Sequence, residues 1–117
     1  MGRLSTHILD TERGRPAAGV TIEAFRIAGD AAEKAAEAVT NADGRTDAPL
    51  LEGAAFTAGV YELRFHVGTY LAASGRTPAS PAFLDVVVIR FGVAAAEEHF
   101  HVPLLLQSFG YATYRGS

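Results

Sequence analysis

Val60-Tyr61-Glu62-Leu63-Arg64-Phe65-His66-Val67 alternates apolar and polar side chains along its whole length. Successive residues of a strand point to opposite faces, so Tyr61, Leu63, Phe65 and Val67 belong to a core, and Glu62, Arg64 and His66 face away from it. His66 reads as a surface histidine. The same period recurs upstream, where Leu4, Thr6 and Ile8 share one face and Ser5 and His7 the other. It recurs downstream in Glu98 to Leu106, with Phe100, Val102 and Leu104 opposed to His99 and His101. Segments of strand length, separated by Gly, Pro, Asn and Asp, argue for an all-β sandwich.

Other segments are less direct. Asp30 to Ala38 is rich in Ala, Glu and Lys, which propensity assigns to helix, yet it lies between strand-like segments and leads to the turn signal Asn41-Ala42-Asp43-Gly44. A strand is expected there, with tertiary pairing overriding propensity. Thr69 to Gly75 has a Thr start and a Gly stop and fits two helical turns, followed by a loop with Pro78 and Pro81. Val86-Val87-Val88-Ile89 is apolar on both faces, as expected of a strand covered on both sides or lying at a subunit contact. Pro103 has no N–H for a ladder and requires a bulge or an unpartnered position. The aromatic-rich stretch Phe109 to Arg115 suits a last strand.

A chain of 117 residues fits one compact domain, 1–117, and its 49% hydrophobic and 20% charged content is that of a globular protein. A formal charge of -3 with scattered basic residues provides no footprint for nucleic acid or an anionic membrane. The absence of cysteine removes thiolate nucleophiles, disulfides and cysteine-ligated metals. There is no secretory-type apolar stretch at the start and no run near the ~20 apolar residues of a membrane span, so a cytoplasmic protein is expected.

No G-x-S-x-G elbow, P-loop or dinucleotide-binding glycine pattern is present, which leaves histidine and arginine to carry any chemistry. His7 looks away from the apolar row and titrates in the range suited to acid–base work. His99 and His101, at i and i+2, put two imidazoles side by side as in some metal sites, but zinc needs a third and usually a fourth ligand, which only His7 or His66 could supply. Arg45 stands just beyond the Asp43-Gly44 turn. It either pairs with Asp47 at the surface or grips a flat, oxygen-rich ligand with its planar fork of donors.

Taken together, Ser5-Thr6-His7-Ile8-Leu9-Asp10-Thr11, Gly14-Arg15-Pro16-Ala17, Asn41 to Asp47, His99 to Leu106 and the terminal Tyr114-Arg115-Gly116-Ser117 resemble the 5-hydroxyisourate hydrolases of the transthyretin-like family. The resemblance runs nearly the whole chain. The terminal tetrapeptide is its most specific part, because it separates the hydrolases from transthyretin, the hormone carrier of the same fold. Gln107-Ser108 stands where Ser-Pro is usual, and Thr69 where the family often has Asp.

The resemblance implies two antiparallel sheets in a sandwich with one short helix, and a homotetramer whose sites lie at the dimer–dimer interface. The family's catalytic positions fall on His7, Arg45 and His101, and its substrate contacts on His7, Arg45, Tyr114, Arg115, Gly116 and Ser117. Neither metal nor cofactor is implied. Water would open the six-membered ring of 5-hydroxyisourate at an amide carbonyl, giving 2-oxo-4-hydroxy-4-carboxy-5-ureidoimidazoline, a step in urate degradation. The general base is His7 or His101, with His7 preferred, and Arg45 offsets the developing oxyanion. Two alternatives stand beside this: a transthyretin-type small-molecule carrier without turnover, and a zinc hydrolase built on His99 and His101.

Overall fold

The computed structural model describes residues 1–76 and 81–116. In chain order its elements are β1 (Arg3–Ser5), β2 (Ile8–Asp10), β3 (Arg15–Pro16), β4 (Thr21–Ala28), β5 (Ala31–Val39), β6 (Leu51–Glu52), β7 (Gly59–His66), α1 (Val67–Ala73), β8 (Val86–Val93), β9 (His99–His101), β10 (Leu104–Leu106) and β11 (Tyr111–Thr113). One layer is the antiparallel sheet β5-β4-β7-β8. The other is made of β6-β1-β9 and β11-β10-β2-β3, joined end to end where Val102 N–H donates to Ser5 O and Leu104 N–H to His7 O, both at 2.9 Å.

The sandwich is therefore the expected all-β one, but only the first sheet is antiparallel throughout as expected. The second layer is mixed, because the start of the chain lies alongside its last third and runs in the same direction, so that β1 pairs with β9 and β2 with β10 in parallel. Leu4, Ile8, Phe100, Leu104 and Leu106 from this layer pack against Ile22, Leu63, Phe65 and Val87 from the other. Each such side chain contributes about 1.5–3 kcal/mol when fully buried. The alternation of β7 holds: Tyr61, Leu63 and Phe65 are fully buried on the inner face.

Ala31–Val39 is a strand, paired with β4 from Thr21↔Val39 to Ala28↔Ala31, with a register shift between Ala24 and Phe25. Gly29 at φ 60 closes the two-residue turn Gly29-Asp30 and returns the chain along β4, so pairing prevails over the helical composition. The helix begins at Val67, two residues before Thr69, straight out of β7, with Gly68 N–H donating to Asp85 O at 2.9 Å. Val67 and Leu71 bury it against the sandwich. It ends at Ala73 with Ser74 as its C-cap, and Gly75 just beyond has the φ of 75 that suits a glycine following a helix end. Pro78, expected in the following loop, lies outside the described residues.

In β8, Val87 is buried but Val86 and Val88 remain 38% and 47% exposed, so the chain itself covers only one face of the valine run. Among the described residues, no helix is long and apolar enough to cross a membrane.

Candidate active site

The break between β1 and β2 sets the site. Thr6 turns inward and donates from Oγ1 to Val102 O at 2.6 Å, while Ser5 and His7 on either side of it turn outward. Across the parallel pair, Ser5 stands opposite His101. Pro103 falls between β9 and β10, where the flanking N–H groups of Val102 and Leu104 carry the ladder and the missing donor is not needed. The two histidines thus come from segments 94 residues apart onto one face.

Arg45 is delivered by the turn before it. Asn41 Oδ1 accepts from Asp43 N–H (2.9 Å) and Arg45 N–H (3.2 Å), an Asx turn, while Gly44 N–H closes onto Asn41 O at 2.9 Å. Gly44 has φ 72, and a Cβ there would lie 2.4 Å from Ile8 O, so no other residue fits without moving β2. Gly44 O in turn accepts from Ile8 N–H at 2.8 Å, which seats Arg45 opposite His7. Asp47 accepts from Asn41 Nδ2 (3.0 Å), and among the described residues Arg45 makes no ion pair.

The imidazoles touch. His7 Nδ1 lies 2.6 Å from His101 Nε2, and His101 Nδ1 lies 2.8 Å from Ser5 Oγ. The ring centroids are 4.8 Å apart at an interplanar angle of 21°. Both ring nitrogens of His101 are therefore engaged, and among the described residues His7 Nε2 has no hydrogen-bond partner. Burial disfavours the charged form of His7, and His101 and Arg45 beside it lower its pKa further below 6.5. His101 is lowered by burial and then by Arg45. Both rings are poised to be neutral at pH 7.

The C-terminal segment closes one side. Gly116 N–H donates to His101 O at 2.6 Å, and a Cβ on Gly116 would come within 2.9 Å of His101 Cδ2. Tyr114 lines the resulting cleft of about 550 Å3 together with Arg3, Ser5, His7, Arg45, His99, His101 and Gly116. Arg115 turns the other way: its guanidinium lies 3.9 Å over the Phe100 ring and 2.9 Å from Glu98, which anchors the tail. Ser117 lies outside the described residues.

Of the residues singled out from sequence, His7, Arg45, His101, Tyr114 and Gly116 converge on this cleft, and Arg115 does not line it. Ser5 was missed as a histidine partner. Its shared face with His7 was visible in the alternation, but its contact with His101 depends on cross-strand register. His99 lines the cleft without joining the hydrogen-bonded pair, and His66 binds Glu23 at 2.6 Å on the opposite layer. Among the described residues no three His, Asp or Glu groups are arranged to hold a metal ion.

Residues 4–116 match the model of the HIUase/Transthyretin family. The chain is 54% identical over 116 residues to 5-hydroxyisourate hydrolase 2 of Rhizobium meliloti, covering 99% of this chain and 97% of that one. The structure of 5-hydroxyisourate hydrolase from Klebsiella pneumoniae is similar at a TM-score of 0.81 and 38% identity, over 98% of this chain and 99% of the other. The structure of an (S)-allantoin synthase superposes with a TM-score of 0.92 at 41% identity over 99% of this chain, which spans 44% of that longer one.

Proposed function

The chain belongs to the HIUase/Transthyretin family, and from that membership we propose that it hydrolyses 5-hydroxyisourate, with His7 as the general base. The observation that carries the base assignment is the occupancy of the imidazoles: His101 has both nitrogens bonded within the protein, while His7, which lines the cleft, has no partner for Nε2 among the described residues.

Water attacks an amide carbonyl of the six-membered ring. Its oxygen bonds to carbon, and one proton passes to His7 Nε2. The carbonyl electrons collect on oxygen, where Arg45, free of any ion pair among the described residues, offsets the charge. As the tetrahedral centre collapses, the ring C–N bond breaks and the nitrogen takes the proton from His7, leaving the base neutral again; the second water proton stays on the new carboxyl group and is released to solvent, giving the ureido-imidazoline carboxylate. A positioned base contributes about 10²- to 10⁴-fold, and a preorganised donor such as Arg45 about 10²- to 10³-fold. Neither step calls on a metal or an organic cofactor. Tyr114 and Gly116 are assigned to the wall that holds the flat ring, Arg115 to anchoring the segment that carries them, and Ser117 to a substrate contact.

A transthyretin-type carrier is disfavoured by the polar cleft, since an apolar ligand would leave the second nitrogen of His7 and the Arg45 guanidinium without partners. A zinc hydrolase on His99 and His101 is disfavoured by the engagement of both His101 nitrogens. We assign a homotetramer with the sites at its dimer–dimer interface. Support comes from β8 and β11, which end their sheets without a further strand partner among the described residues, and from the exposed Val86 and Val88. The proposed compartment is the cytoplasm, to be tested by cell fractionation.

The deciding experiment adds freshly prepared 5-hydroxyisourate and follows its ultraviolet decay against the spontaneous rate. Enhancement at micromolar protein, lost in His7→Ala and unaffected by chelators, is the expected result. Decay at the spontaneous rate would leave the carrier reading in its place.

A further inference from the structure

The two histidines and Ser5 form a chain, Ser5 Oγ to His101 Nδ1 at 2.8 Å and His101 Nε2 to His7 Nδ1 at 2.6 Å. We propose that Ser5 is a positioning residue that sets the direction of this chain by accepting the His101 Nδ1 proton, and so keeps the His7 Nε2 lone pair turned to the cleft. The inference rests on the reading of His7 as the base.

A neutral imidazole has one N–H and one lone pair, so the chain can run in only two ways. In the first, Ser5 Oγ–H donates to His101 Nδ1, His101 Nε2–H donates to His7 Nδ1, and His7 must carry its proton on Nε2, where it is useless as a base. In the second, His7 Nδ1–H donates to His101 Nε2, His101 Nδ1–H donates to Ser5 Oγ, and His7 Nε2 presents a lone pair.

Only the second survives turnover. Once His7 has taken the proton from water it is an imidazolium that donates from both nitrogens, so His101 Nε2 must accept. The His101 proton then has to sit on Nδ1, and the group opposite Nδ1 has to accept it. Ser5 Oγ is that group. A serine hydroxyl can accept this proton while sending its own elsewhere, and Ser5 lines both the histidine cleft and the adjoining one with Thr46 and Asp47, which offers an outlet. An imidazole without such a partner favours the Nε2–H form. Loss of Ser5 therefore returns His101 to Nε2–H, reverses the chain and removes the lone pair from His7. Gly116, whose backbone N–H holds His101 O, restrains the same residue through its backbone but touches neither ring nitrogen, so it leaves the direction to Ser5.

Nitrogen-15 NMR of the histidine side chains in the full-length protein at pH 8 tests this without substrate. In the wild type His101 Nδ1 should have the shift of a protonated nitrogen and Nε2 that of an unprotonated one, with His7 likewise protonated on Nδ1. Ser5→Ala should exchange the two His101 shifts and lower kcat on the order of tenfold to a hundredfold, less than complete loss of the base, with little change in KM. Ser5→Thr, which restores the hydroxyl, should recover the wild-type shifts and most of kcat. A wild-type His101 protonated on Nε2, or a Ser5→Ala protein with unaltered shifts, overturns the proposal. The failure of the wild type to hydrolyse 5-hydroxyisourate would instead remove the hydrolase reading, while the NMR result would still decide the direction of the chain.

Discussion

Two faces of the sandwich carry histidine beside arginine, and they end in opposite electrostatic states. On the outer face of β4, β5, β7 and β8, His66 binds Glu23 and Glu23 also binds Lys34 at 3.1 Å. On the same face Glu62, only 5% exposed, accepts from Arg64 at 2.7 Å and from Arg90 at 3.0 Å. Glu23 and Glu62 each have a Lys or Arg partner there. On the β1–β9 face, two imidazoles meet each other with no carboxylate between them, and Arg45 is unpaired among the described residues. Charges that answer one another within the chain hold the fold together. Groups left facing a cleft without an answer are available to a ligand.

The largest test of that contrast sets one histidine against another. His7→Ala should lower kcat by at least about a hundredfold, as expected for loss of a general base, and His66→Ala should leave it within about twofold. Comparable losses from both would dissolve the distinction between the faces.

Arg45→Ala should cost roughly a hundredfold in kcat/KM, and Arg45→Lys should recover only part because a point charge replaces a planar fork. Near-normal rates in Arg45→Ala would remove it from the mechanism. Gly116→Ala is smaller in scale, on the order of tenfold, because the new methyl has to displace the His101 ring rather than remove it. Unchanged kinetics there would show that the tail does not restrain that histidine.

Acid separates the two faces. The sites of His7 and His101 disfavour protonation, so kcat/KM should hold at neutral pH and fall along an acid limb below about 6.5, the ordinary histidine value. Because the unfolded chain takes up these protons first, their stability contribution is full above about pH 6.5 and erodes as pH falls towards the folded values. Glu62 behaves at lower pH. Its hydrogen bond from Arg64 outweighs the cost of burial and, with Arg90, holds its carboxyl below the usual range. Its contribution is present above about pH 4.3 and is lost as pH falls through the lowered folded value. Rate profiles and thermal melts between pH 4 and 8 would separate the windows, and an acid limb above 6.5 would contradict the neutral-base reading.

The smallest effect on catalysis belongs to Glu62→Gln. It should lower stability by about 1–3 kcal/mol, the scale of losing charged hydrogen bonds from a buried acceptor, and leave kcat unchanged. Chemical denaturation and the ultraviolet assay read the two quantities separately, and a fall in kcat without loss of stability would tie the outer face to the site.

Strand alternation alone sorted Tyr61, Leu63 and Phe65 from Glu62, Arg64 and His66, and placed Ser5 and His7 together on the face away from Leu4, Thr6 and Ile8. Period two is a property of a single strand and needs no partner to be read. The turn that carries Arg45 was legible for the same reason: Asn41, Asp43 and Gly44 act on backbone within four residues of themselves. What depends on partners was beyond local reading. Ala31–Val39 was expected as a strand only from the strand-like segments on either side of it, and it is one because β4 offers it a ladder, against its own propensity. The helix starts at Val67 because the apolar Val67 and Leu71 dock on the sandwich, with Thr69 inside it as an ordinary helical residue. The contact of Ser5 with His101 and of His101 with His7 exists because β1 and β9 pair in parallel at one register out of several that alternation would allow. A slip of one residue would turn His101 into the core. The sequence by itself determined which residues face outward on each strand and which turn presents an arginine. The packing of distant strands decided which of those outward groups meet, because hydrogen-bond distance between side chains 94 residues apart is set by register and by nothing local.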